Sequence, residues 1–168
     1  MRISYNWLKW YVSEIPEADK LADIFTYHLC EVEGVEKIGD DTVYDLNILP
    51  NRAHDLLSHM GVAKELCGQL GLKYNDPTPM YKIPSTTPTS LKVDIQSPLC
   101  RRYMGRIVRG VKVGPSPEWV LKHLESIGQR SINNIVDATN IVMFDCGNPC
   151  HAFDLAVTGD RIVVKTAQ

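Results

Sequence analysis

Val32-Glu33-Gly34-Val35-Glu36-Lys37-Ile38, then Gly39-Asp40-Asp41, then Thr42-Val43-Tyr44-Asp45-Leu46-Asn47-Ile48-Leu49 is the stretch on which the fold class turns. In its second half Tyr44, Leu46 and Ile48 alternate with Asp45 and Asn47, the period of a strand. The segment 32–38 reads as a strand too, and Gly39-Asp40-Asp41 joins the two directly. Helical patterns precede and follow these strands. Ser4 is a good N-cap, with Ile3 and Leu8 at hydrophobic-staple positions. Trp7, Leu8, Tyr11 and Val12 then share one helical face. Pro16 suits the first turn of a second helix carrying Leu21, Ile24, Phe25 and His28 at i, i+3, i+4 and i+7. Pro50-Asn51 breaks the second strand, and a helix follows from near Ser58 with Ala63, Leu66, Cys67 and Leu70 on one face and Gly71 as its stop. Helices and strands mix without regular βαβ alternation, so the class is α+β.

Beyond this region, residues 76–90 hold Pro77, Pro79, Pro84 and Pro88 among several Ser and Thr, the composition of a linker. The expected division is therefore residues 1–75, a linker over 76–90, and a second domain over 91–168. In that second part Leu91 to Ile95 and Arg102 to Val113 alternate as strands. The latter places Tyr103, Ile107, Val111 and Val113 on one face and Arg102, Arg106 and Lys112 on the other. Ser116-Pro117-Glu118 opens a helix burying Val120, Leu121, Leu124 and Ile127 and closed by Gly128. Asn133 caps another through Ile135, Val136, Thr139 and Met143, and Arg161 to Lys165 is a terminal strand.

Composition narrows the function classes. At 168 residues, 44% hydrophobic and 23% charged, the chain is an ordinary globular protein rather than a disordered one. No apolar run reaches the ~20 residues that span a bilayer, and no secretion signal is recognisable, so no membrane partner is expected. Five widely spread cysteines point to reduced thiols and a cytoplasmic setting. Cys146-x-x-x-Cys150-His151 lacks a second cysteine pair, and no metal site is expected. Net charge is −2, divided as −6 over residues 1–60 and +4 over 61–168. Arg101, Arg102, Arg106, Arg109 and Lys112 follow one another without an acid from Leu99 to Pro117, which permits contact with nucleic-acid phosphates or simply forms a solvated face.

Polar residues are densest from Arg130 to Asp154. Asn133, Asn134, Thr139 and Asn140 interrupt an otherwise apolar helix, where such side chains compete for backbone hydrogen bonds. Two readings stand: they cap and cross-link backbone, or they line a site. His151, in small and apolar company, is either a capping residue or a functional ring. No nucleophile motif, phosphate-cradling loop or paired carboxylate accompanies it.

The motifs themselves resemble a family. Met1-Arg2-Ile3-Ser4-Tyr5-Asn6-Trp7-Leu8, Leu49-Pro50-Asn51-Arg52, Ser58-His59-Met60-Gly61-Val62-Ala63 and Cys100-Arg101-Arg102-Tyr103 are similar to the β subunit of bacterial phenylalanyl-tRNA synthetase. Gly114-Pro115-Ser116-Pro117-Glu118-Trp119, Ile132-Asn133-Asn134-Ile135-Val136-Asp137, Thr139-Asn140 and His151-Ala152-Phe153-Asp154 continue the likeness. The resemblance implies a small N-terminal domain of the B1 type, then the incomplete first part of an α+β editing domain of the B3/B4 type. It implies a heterotetramer with a catalytic α subunit that uses ATP and Mg²⁺ to attach phenylalanine to tRNA(Phe), neither bound to this segment, with no DNA partner. The editing domain hydrolyses tyrosine wrongly attached to that tRNA. Carried over by position, Thr139, Asn140 and His151 are its tentative catalytic residues. Arg130 falls at a pocket position and, with Arg102, Arg106 and Lys112, is a tentative substrate or tRNA contact. His151 is implied either as a general base or as a positioner. The alternative is a non-catalytic module that docks the α subunit or tRNA.

Three departures from the family pattern matter. Gly39-Asp40-Asp41 stands where the family inserts a tRNA-binding domain. The family's second editing-domain half, with a pocket glutamate, would lie past Gln168, so the chain reads as a truncated or short β subunit. Ser131, Asn148 and Cys150 replace the usual Pro, Gln and Met.

Overall fold

Ser4 begins the architecture: its backbone is extended and its hydroxyl accepts the Trp7 amide at 3.0 Å, turning the chain from strand β1 (Arg2–Ser4) into helix α1 (Tyr5–Leu8). The structure, a computed structural model, describes all residues except 81, 83, 84, 86 and 168. The further elements are α2 (Ala18–His28), β2 (Val32–Ile38), β3 (Asp41–Leu46), α3 (Ala53–Leu56), α4 (His59–Leu70), β4 (Lys92–Ile95), α5 (Glu118–Ser126), α6 (Asn134–Cys146), α7 (Leu155–Thr158) and β5 (Arg161–Val164). The expected α+β class holds.

The chain forms two compact units, Met1–Lys82 with Val113–Cys150, and Ile83–Lys112 with His151–Gln168. The segment 113–150, which the sequence places after the linker, thus packs with the N-terminal residues. Side chains explain this. Asp145 of α6 accepts the Trp7 indole N–H at 2.8 Å and the Tyr11 hydroxyl, and the carbonyl of Phe144 meets His59 Nδ1 at 2.9 Å. The linker assigned to 76–90 includes residues 81, 83, 84 and 86, which lie outside the described residues; Thr78–Met80 within it form a short 3₁₀ turn.

In the first unit an antiparallel sheet runs in the order β1-β3-β2. The central strand β3 is buried at Asp41, Thr42, Val43, Tyr44 and Leu46, more than the alternating pattern demands, because β1 and β2 flank it and helices cover it. It ends at Leu46 rather than Leu49. Ile3, Trp7, Leu8, Tyr11, Val12, Leu21, Phe25, Tyr44, Leu46, Val62, Ala63 and Leu66 form the core; the residues read on helical faces are buried apart from His28, which is exposed, but α1 ends at Leu8, so Tyr11 and Val12 reach the core from the segment after it rather than from a shared helical face. Pro16 stands just outside α2. The first carbonyl to accept a helical bond is that of Glu17, while the Pro16 carbonyl takes the Tyr5 hydroxyl at 3.0 Å.

Caps mark the later helices as the sequence suggested. Ser58 Oγ accepts from Gly61 N at 3.0 Å, and Gly71 ends α4 in the left-handed region at φ 65°. Arg52 of the Leu-Pro-Asn-Arg segment is spent on structure, bridging Asp55 at 2.6 Å and Glu65 at 2.9 Å. Its hydrogen bonds hold the Asp55 carboxyl below the usual carboxylate range. Val120, Leu124 and Ile127 of the α5 region are buried.

The second unit carries the parallel pair β4–β5, in register from Lys92↔Arg161 to Ile95↔Val164. Residues 102–113 do not form the expected strand. A period-2 pattern becomes a strand only where a ladder partner is at hand, and β4 pairs with β5 instead. Tyr103 and Ile107 are half-buried, whereas Val111 and Val113 are exposed. At Gly105 the backbone comes so close that a Cβ would stand 2.9 Å from Leu91 Cδ2. No helix among the described residues is long and apolar enough to cross a membrane.

Candidate functional site

Helix α6 carries the centre of the candidate site, and its start is built by the asparagines that precede it. Asn133 Oδ1 accepts the Ile135 and Val136 amides, each at 3.0 Å. Asn134 clasps Gly114 from both sides: its amide donates to the Gly114 carbonyl at 2.9 Å, and its Oδ1 accepts the Gly114 amide at 3.1 Å. Asp137 is fully buried one turn into the helix and accepts the hydroxyls of Ser116 and Ser131 and the Ile132 amide. Burial opposes its charge, but these donors outweigh that cost and hold its pKa below the ordinary carboxylate value. Ser131 thereby helps hold the buried carboxylate, a role its hydroxyl makes possible. Asp154 caps α7 through the Ala156 amide at 2.9 Å. Of the two readings of the polar stretch, cross-linking therefore accounts for Asn133, Asn134, Asp137, Asp145 and Asp154.

The remaining polar residues present themselves differently. Arg130 lies in the turn between α5 and α6 and is exposed; Thr139 and Asn140 lie in mid-helix, half-buried. Among the described residues, no hydrogen bond engages the side chains of Arg130 or Asn140. Thr139 Oγ1 donates to the Val136 carbonyl at 2.6 Å, which occupies its proton and leaves the oxygen free to accept. Consecutive helical positions diverge by about 100°, so Thr139 and Asn140 cover adjacent faces rather than one point.

Arg130, Thr139 and Asn140 belong to the first unit; His151, Arg102, Arg106 and Lys112 belong to the second. His151 is exposed, its ring 6.3 Å from that of Phe153. Arg102, Arg106 and Lys112 are exposed too, on irregular backbone rather than a strand face. Among the described residues, no three of His, Cys, Asp or Glu gather as a metal-holding group.

Sequence reading passed over His59, the most constrained ring of the first unit. It is fully buried and stacks on Trp7 with centroids 4.0 Å apart. Its Nε2 accepts the Ser4 amide at 3.0 Å, so Nδ1 carries the proton and donates to the Phe144 carbonyl. Burial pushes its pKa down to about 3. The only hint in the sequence is its place beside the Ser58 cap, since nothing local reveals partners so distant in the chain.

Comparison with known proteins extends the geometry. Residues 99–168 match the family model described as B3/4 domain. The phenylalanine--tRNA ligase β subunit of Rhodopirellula baltica is 42% identical over 168 residues, covering 98% of this chain and 24% of the relative. That of Anaeromyxobacter dehalogenans is 47% identical over 132 residues, 77% of this chain and 16% of the relative. The Clostridium tetani β subunit is 46% identical over 129 residues, 75% of this chain and 16% of the relative. The chain spans about a quarter or less of the length of these relatives.

Proposed function

Because the chain belongs, as a segment, to the phenylalanine--tRNA ligase β-subunit family, we propose that it serves such a ligase, supporting ATP-dependent attachment of phenylalanine to tRNA(Phe) alongside an α subunit and contributing to hydrolysis of tyrosyl-tRNA(Phe). The observation that carries this is 42% identity to one such subunit sustained over 98% of the chain. The chemistry explains the need. An apolar pocket rejects an added hydroxyl by only about a hundredfold, so a second, polar sieve is required to separate tyrosine from phenylalanine.

Editing is ester hydrolysis. Water adds to the ester carbonyl, the tetrahedral oxyanion collapses, and tyrosine departs as a carboxylate while the ribose oxygen takes a proton. In the proposal Asn140 donates its amide N–H toward the oxyanion or the amino acid. Thr139, whose proton is committed to Val136, accepts from the amino group or from the tyrosine hydroxyl. Arg130 holds a phosphate near the tRNA terminus. His151 orients water or the terminal ribose as a positioner, and Arg102, Arg106 and Lys112 hold tRNA phosphates. The open Arg130 and Asn140 side chains support these roles. ATP and Mg²⁺ supply the activation chemistry of the whole ligase.

The test compares tyrosyl-tRNA(Phe) hydrolysis by the chain, with and without an α subunit, against Asn140→Ala and His151→Ala variants. Turnover lost in the variants supports the reading; equal turnover in all refutes the site. A second reading is a docking module without chemistry. It requires co-purification with an α subunit or tRNA in the absence of hydrolysis. Detectable phenylalanyl-tRNA synthesis by the chain alone would contradict both.

A further inference from the structure

Strand β4 is paired on one side only. Lys92 N donates to the Asp160 carbonyl at 2.7 Å and Gln96 N to the Val164 carbonyl at 2.8 Å, so the even-numbered positions of this stretch face β5. Backbone groups alternate in direction along a strand, which turns those of Leu91, Val93 and Ile95 to the outer edge. The Leu91 amide is held locally by Thr89 Oγ1 at 3.2 Å, but among the described residues no strand takes the others. Such an edge is a template for another strand. The second unit also lacks a core of its own: among its described residues no large apolar side chain is fully buried, and Ile95, Leu99, Met104 and Val163 are exposed.

The sequence of the edge selects its occupant. Leu91-Lys92-Val93-Asp94-Ile95 is complementary to itself when reversed about Val93: Leu91 falls opposite Ile95, Lys92 opposite Asp94, and Val93 opposite Val93. Val93 turns its N–H and C=O outward, so in this register two copies exchange hydrogen bonds across a twofold axis. Like charges exclude the neighbouring registers: a centre at Lys92 sets two lysines face to face, and a centre at Asp94 sets two carboxylates face to face. An edge lysine ordinarily wards off pairing, but here it meets an acid. Both charges are available. Among the described residues Lys92 has no ion pair. Asp94 accepts from Arg161 at 2.6 Å and from Gln96 at 2.8 Å, both on Oδ2, which leaves Oδ1 open to a second cation. Leu91, Val93 and Ile162 share the face against which Gly105 packs, so pairing also extends an apolar face across the seam.

We infer that β4 is a homodimerisation edge, pairing antiparallel with β4 of a second copy of this chain about Val93, with Lys92 of each copy meeting Asp94 of the other. The inference stands independently of the editing proposal.

The experiment is sedimentation equilibrium of the full chain under reducing conditions, so that its free thiols form no cross-link. Expected is a reversible monomer–dimer equilibrium in the micromolar range, that of a small interface. Lys92→Glu should weaken it by about thirtyfold, because two opposite-charge pairs become two like-charge pairs. Asp94→Lys should weaken it similarly. An equimolar mixture of these two variants should associate again, since an acidic edge then meets a basic one. Val93→Pro removes an outward N–H without touching the β4–β5 ladder and should abolish the dimer. If Asp94→Lys does not melt like the wild type, having lost its Arg161 pair, concentration-dependent slowing of Val93 and Ile95 amide exchange in the wild-type chain replaces the mixing arm. A chain that stays monomeric to millimolar concentration, a dimer indifferent to Lys92→Glu and Val93→Pro, or a mixture of folded variants that stays monomeric overturns the inference.

Discussion

Acidification from pH 7 to pH 5 should unfold this protein more readily through one buried ring. His59 accepts the Ser4 amide on Nε2 and donates from Nδ1 to the Phe144 carbonyl, so a second ring proton would break the Ser4 bond and place a charge against Trp7 in the core. In the unfolded chain the ring takes up a proton below about pH 6.5, whereas in the fold it does so only near 3. Between those values the unfolded state binds one proton more, so stability rises with pH and falls as acid is added. The slope approaches about 1.4 kcal/mol per pH unit, which amounts to about 2 kcal/mol by pH 5. Carboxylates held low by hydrogen bonds, such as Asp55, Asp94 and Asp137, add their own losses mainly below about pH 5. The assay is urea unfolding of the full chain at half-unit steps from pH 7.5 to 5. A His59→Gln variant, whose amide oxygen can accept the Ser4 N–H, should start less stable but lose most of the slope above pH 5. The His59 ring resonance should also stay constant to pH 4 in the native protein. A ring titrating near 6.5, or equal slopes in the wild type and the variant, would refute the reasoning.

Other outcomes follow from single contacts. Gly61→Ala, which helix propensity alone predicts to stabilise by about 1 kcal/mol, should instead destabilise by about 3 kcal/mol or more, because its Cβ would stand 1.7 Å from the Asp55 carbonyl oxygen; a raised melting temperature would sink this. Asn133→Ala should cost about 1 kcal/mol by uncapping α6, with Asn133→Ser recovering most of it in the same thermal melts. Asp145→Ala should cost about 2 kcal/mol in urea titrations, since the Trp7 indole and the Tyr11 hydroxyl both lose a charged acceptor; an unchanged midpoint would show that water replaces it.

Local signals and long-range contacts divide the legibility of this molecule. Ser4, Ser58, Gly71 and Asn133 declare helix ends because capping involves residues within one turn of each other. The core faces of α2 and α4 are legible for the same reason, being set by 3.6-residue periodicity, whereas Tyr11 and Val12 join the core beyond the single turn of α1. Residues 102–113 show where this fails. Alternation describes what a strand's side chains would do, but the ladder comes from another part of the chain, and β4 took β5 as its partner. Likewise Pro-rich composition marked residues 76–90, while the grouping of 113–150 with the N-terminal residues depends on Trp7, Tyr11 and His59 reaching Asp145 and Phe144.

The candidate site divides along the same line. From the sequence alone come the α+β class, the helix caps, the polar enrichment from Arg130 to Asp154 and the family likeness, since each rests on residues close together or on ordered motifs. Only the tertiary structure distinguishes the asparagines and aspartates that tie backbone from Arg130 and Asn140, whose side chains stay open. It alone turns His59 into a neutral, doubly bonded core ring. Hydrogen-bond satisfaction and desolvation are properties of neighbours in space, and those neighbours lie as far apart in the chain as Ser4, His59 and Phe144.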